Sequence, residues 1–210
     1  MKTRTKALLL VMSALLLVVS TVFATLAYLT STTGTVKNTF TVGNVTITLD
    51  EAALVDAYGE ADDSKARVTA NEYKLLPGHS YDKDPTVHVD ADSEDCYIFV
   101  KVTNYIADIE STDADYTNIA AQMEANGWVA LDSAENVYYY VDEVEKNDER
   151  DYVVFTNFKI TGNITNEELA VFATTTTEAS YISIQAYAIQ ADGFDSAAAA
   201  WAAAPATWNN

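Results

Sequence analysis

Six short runs in this chain read as strands, and in three of them apolar and polar residues alternate, the period of two that marks one face on a core and one in water. In "VTITL" (45–49), Val45, Ile47 and Leu49 share a face, and in "PTVHVD" (85–90) Val87 and Val89 do the same. "CYIFVKVTN" (96–104) sets Cys96, Ile98, Val100 and Val102 inward and Tyr97, Phe99, Lys101 and Thr103 outward. "NVYYYV" (136–141), "YVVFTNFKI" (152–160) and "YISIQAYAI" (181–189) complete the set, and the acidic "DEVEKNDER" (142–150) between two of them predicts a long hairpin. Thr, Val, Ile and Tyr dominate these runs, Gly, Asn and Asp separate them, and no βαβ alternation is present. The expectation is an all-β fold, an antiparallel sandwich.

A few short helices accompany it. "DYTNIAAQMEANGW" (115–128) places Ile119, Ala120 and Met123 on one face and stops at Gly127. "NEELAVF" (166–172) predicts a short helix behind an Asn cap, and the Ala-rich "DSAAAAWAAAPATW" (195–208) predicts one capped by Asp195 or Ser196 and ended by Pro205.

At the start, Lys2, Arg4 and Lys6 precede an uncharged stretch from Ala7 to Leu29. A basic head, an apolar centre and small residues behind it make a secretory signal, with Thr25 and Ala27 suiting cleavage between Ala27 and Tyr28. An uncleaved anchor is the other reading. Both put the rest of the chain outside the cytoplasm, secreted into an extracellular matrix or held at the cell surface, with membrane contact only through the signal segment. The organisation expected is a signal peptide (1–27), an extended N-terminal segment (28–42), a β-sandwich (43–195) and an Ala-rich tail (196–210).

Charge narrows the partners. The first 27 residues hold three of the 12 basic residues and none of the 31 acidic ones, so a chain starting at Tyr28 has nine basic residues against 31 acids and a formal charge of −22. Such a surface repels nucleic acid and anionic lipid. Its acids are read as a solvated surface, or as groups that hold copies apart until salt or a divalent cation screens them. Cys96 is the single cysteine, so no intrachain disulfide supports the fold, and its inward phase reads as a small buried hydrophobe.

Catalytic patterns are weak. His79 and His88 are the two histidines and form no HExxH motif. "GHSYD" (78–82) has Asp82 where a nucleophile elbow needs its second Gly, and a Pro-Gly turn after Pro77 explains the stretch. "DADSED" (90–95) brings Asp90, Asp92 and Glu94 close in sequence but lacks the Gly at the sixth place of a calcium loop, so it reads as an acidic turn or a weak Ca²⁺ site. No catalytic residue and no other cofactor is expected.

Three stretches carry a resemblance. "LAYLTSTTGTVKNTFTVGNVTITLDEA" (26–52) resembles the export segment and first strand of the TasA/camelysin family of secreted bacterial matrix-fibre proteins. "LLPGHSYDKDPTVHVDADSEDCYIFVKVTN" (75–104) and "ISIQAYAIQADGF" (182–194) are similar in pattern to later strands of that family. The matches cover less than half of the chain. The resemblance implies a jelly-roll-like sandwich, a signal peptide read by a dedicated signal peptidase of the SipW type, and self-assembly into biofilm-matrix fibres. It also implies that an N-terminal segment can complete the sheet of a neighbouring subunit. Camelysin is classed as a metalloprotease, and this sequence departs from that activity in having no recognised zinc signature.

The opening stretch has the chemistry of such a donor. Residues 28 to 41 include six threonines, one cation (Lys37) and no acid, so the segment is extended, β-prone and nearly uncharged in an acidic chain. Leu29, Val36 and Phe40 are its anchors. A segment that folds back as an ordinary first strand, or serves only as a leader, is the other reading. The functional expectation is a non-enzymatic fibre subunit, with a wall-associated binding module and a camelysin-like metalloprotease as alternatives.

Overall fold

The alternating runs become strands of three antiparallel sheets. The structure, a computed structural model, describes residues 12, 30–33, 45–148, 150–175, 182–205 and 208. In chain order the strands are β1 (Thr30–Thr33), β2 (Ile47–Asp50), β3 (Ser80–Asp82), β4 (Thr86–Val89) and β5 (Cys96–Asn104). They continue with β6 (Trp128–Ala130), β7 (Val137–Tyr140), β8 (Asp151–Val153), β9 (Asn157–Lys159) and β10 (Ile182–Gln190). The largest sheet has the order β1-β10-β5-β7-β6, the second β2-β4-β8, and β3 pairs with β9. Among the described residues three short α-helices, α1 (Ile119–Ala125), α2 (Asn166–Thr175) and α3 (Ala197–Ala202), and one turn of 3-10 helix (Ala107–Ile109) complete an all-β architecture. Among the described residues no helix is long and apolar enough to cross a membrane. Apart from Met12, the expected signal segment 1–27, including Ala27, lies outside the described residues, as do Tyr28, Leu29, Val36 and Phe40.

Alternation places the core. Ile47 and Val87 from the second sheet, with Val45 just ahead of β2, meet Cys96, Ile98, Val100 and Val102 from β5, and all are buried in one cluster. Each fully buried aliphatic side chain of this kind contributes about 1.5–3 kcal/mol. Trp128 joins the cluster from β6, and its indole N–H donates to the Val153 carbonyl at 2.9 Å, tying the end of the large sheet to β8.

The outward phase of β5 does not stay in water. Phe99 is fully buried on the other side of the sheet, with Tyr187 and Ile189 from β10, under Trp201 and Trp208. The Phe99 and Trp201 ring centroids are 5.0 Å apart. Ser196 caps α3 by accepting from the Ala199 N–H, and Ala197 and Ala200 bury their small side chains against the sheet. The Ala-rich tail therefore covers a face that periodicity alone assigns to solvent.

The run 152–160 also departs from expectation, being two strands rather than one. β8 pairs with β4 and β9 with β3, and the chain changes sheet at Val154 and Phe155, both fully buried. The buried Gln122 of α1 satisfies the break: its amide oxygen accepts from the Thr156 N–H at 3.0 Å, and its amide nitrogen donates to the Asn157 carbonyl at 2.9 Å. Gln122 thus takes the inward place expected of Ala120, which is exposed. The expected hairpin across 142–150 is not formed, because β7 pairs with β5 and β6. At α2 the cap is Thr165 rather than Asn166: its hydroxyl accepts from the Glu168 N–H while the Glu168 carboxylate accepts from the Thr165 N–H, a reciprocal capping box.

Candidate functional site

β1 forms one end of the five-stranded sheet. Its residues run antiparallel along β10 in the register Thr30↔Ile189, Ser31↔Ala188, Thr32↔Tyr187 and Thr33↔Ala186. On its other side β10 pairs with β5 over its whole length, from Ile182↔Asn104 to Gln190↔Cys96. β10 is thus an interior strand whose outer main-chain groups receive a short peptide rich in Thr and Ser. Residues 30–33 thus fold back on a sheet of their own chain, the arrangement expected of an ordinary first strand rather than of one already passed to a neighbour. Chemically, this edge recognises an extended backbone, with specificity left to residues flanking the paired stretch.

The two histidines serve separate places. His88, in the middle strand β4, stands between carboxylates of its neighbours, with Nδ1 2.7 Å from Asp151 Oδ1 and Nε2 2.9 Å from Asp50 Oδ1. Arg67 adds a second cation to this group, its guanidinium reaching Asp50 at 2.5 Å and Asp84 at 2.7 Å. No motif marks Arg67 in the sequence, although His88 sits in its strand between the inward Val87 and Val89. His79 Nε2 lies 2.8 Å from the Tyr58 carbonyl, and its ring packs edge-on against Tyr81.

The acidic turn is engaged locally. The Asp90 carboxylate accepts from the Asp92 N–H, and Glu94 pairs with Lys146 at 2.8 Å. The neighbouring Asp95 accepts from the Lys146 N–H at 2.6 Å. Glu94 is thus ion-paired, with Asp92 and Asp95 also acting on Lys146, and among the described residues no group of three or more His, Cys, Asp or Glu side chains is placed to hold a metal ion. Cys96 is fully buried, and burial, with help from Asp95 and Glu143, pushes its thiol up to about 12. Such a group is a packing residue at neutral pH.

Comparison with protein-family models, with curated proteins and with solved structures returned no match.

Proposed function

We infer that the protein is a secreted structural subunit of extracellular matrix fibres, a jelly-roll-like sandwich whose N-terminal strand passes between copies. The observation that supports this reading is the place of β1, held at the end of a sheet by backbone pairing to β10. A strand held this way can be exchanged for the same strand of a second copy. The main-chain hydrogen bonds are then identical, so the balance depends on loop strain and concentration. Leu29, Val36 and Phe40 flank the strand and give a donor its apolar anchors. Release at the Ala27–Tyr28 bond frees the end that must enter a neighbour, and the acidic surface keeps copies apart until salt screens it.

Electron microscopy and sedimentation of a chain starting at Tyr28, beside one starting at Val36, test the reading. Proline at Thr32 and, separately, at Thr33 probes the pairing, since alternate N–H groups of a strand face its partner. Fibres are expected from the longer chain, reduced by one of the two prolines. Equal fibre formation by the chain starting at Val36 rejects the donor role. A monomer retained by cell-wall glycans points to the wall-associated binding role instead.

A further inference from the structure

A cleft of about 650 Å³ opens between the 71–75 segment, β9 and α2, on residues distinct from the β1 strand. That volume lies within the roughly 300–1,000 Å³ range of small-molecule sites. Its apolar walls include Leu75, Ile106, Phe158, Leu169 and Ile182. Tyr73 adds an aromatic wall: its ring meets Phe158 edge-on at 5.2 Å, and Phe158 stacks on Tyr81 at 4.8 Å. These rings brace one another, so the cleft is shaped in advance.

The polar groups inside the cleft are largely satisfied by the protein. Lys83 is ion-paired with the buried Glu51 and lies 5.8 Å from the centre of the Tyr73 ring. Asn71 donates to the same carboxylate at 2.9 Å. This network presents no open charge to a ligand.

Lys74, also lining the cleft, differs. Lys65, Arg67, Lys83, Lys146, Arg150 and Lys159 each have a carboxylate within ion-pair distance. The Lys74 ammonium instead meets Tyr58, 3.4 Å from its hydroxyl and 5.5 Å from its ring centroid. Glu72 is the acid among the lining residues, and among the described residues no ion pair joins it to Lys74. Lys74 is therefore an exposed cation beside an apolar cleft with no ion-pair partner among the described residues.

We propose that this cleft binds a single-chain amphipathic carboxylate, its alkyl chain against Leu75, Ile106, Phe158 and Leu169 and its carboxylate at Lys74. The charge of the whole surface disfavours an anionic bilayer, whereas one dispersed molecule meets only the cleft and its rim.

Calorimetric titration of the full exported chain with dodecanoate below its micellar concentration tests this, with dodecan-1-ol as the uncharged control. One molecule of dodecanoate per chain is expected, bound with a negative heat-capacity change from apolar burial. Lys74→Gln should weaken dodecanoate about fivefold, the effect of one exposed charge-assisted contact, and leave dodecan-1-ol unchanged. Ala170→Trp, a bulky change at an exposed lining position, should abolish binding of both without altering the melting temperature. In unsubstituted protein, NMR shifts on adding dodecanoate should centre on Tyr73 and Phe158, which keeps the test open if the tryptophan variant misfolds. No binding, equal affinity for the alcohol, or shifts centred elsewhere overturns the proposal.

Discussion

His88 Nδ1 lies 2.7 Å from Asp151 Oδ1, joining the central strand β4 to its neighbour β8. The other ring nitrogen lies 2.9 Å from Asp50 on β2, so one imidazole links all three strands of its sheet. Ionised carboxylates only accept, and a neutral imidazole has one N–H to give. Whichever ring nitrogen carries a proton, it has a carboxylate to donate to. His88→Ala should lower unfolding free energy by about 1 kcal/mol in urea titration, a small value because the Asp151 side is exposed and screened. A variant that unfolds at the parent's urea concentration would show that the imidazole does not hold the sheet together.

Gln122 is the second target. It is the hydrogen-bond partner of backbone groups at Thr156 and Asn157, where the chain crosses between sheets. Gln122→Ala leaves these groups unsatisfied in a buried place, and the expected loss is about 2–3 kcal/mol. Gln122→Glu keeps the acceptor but removes the donor, so it should still fall below the unsubstituted chain. Equal urea midpoints for Gln122→Ala and the parent would show that water replaces the side chain at no cost.

Trp201 tests whether the tail is part of the fold. Trp201→Ala uncovers Phe99 and Tyr187 and should destabilise the chain by about 3–5 kcal/mol. Binding of a hydrophobic dye at low denaturant should rise with it. A variant that melts with the parent and binds no dye would mean the tail is only draped over the sheet.

Acid sensitivity follows from Asp148. Hydrogen bonds from Arg150 hold its carboxyl at about 2, with the Tyr152 hydroxyl adding and burial opposing. A folded value below the unfolded one stabilises the native state when the group is ionised, so this contribution is complete above the ordinary carboxylate range. It is lost as pH falls from that range toward about 2. Arg150→Gln should therefore lower stability at neutral pH and flatten the decline on acidification. Parallel pH–stability curves for the two proteins would contradict the assignment.

The strand faces of β2 and β5 were legible because Ile47, Ile98, Val100 and Val102 alternate cleanly and meet in one core. Phe99 was misread because its cover, Trp201, comes from a distant part of the chain, and a local period reports only one side's burial. The break in 152–160 had a local sign: Val153, Val154 and Phe155 are consecutive apolar residues where a half-buried strand would alternate. Thr165 and Glu168 likewise carried a readable capping pattern, missed in favour of the adjacent Asn166. The pairing of β1 with β10 had no such sign, since each strand offers the same backbone groups to any partner. For the same reason the cleft, assembled from distant segments, could not be read from any one motif.

The sealed position of Cys96 bears on how the protein can be taken apart. Its thiol is fully buried and protonated at neutral pH, so an oxidant cannot use it to weld folded copies together. Multimers of intact subunits should dissolve in denaturant alone, with reductant making no difference. Sulfur-linked dimers on a gel would then record chains that had unfolded before they met.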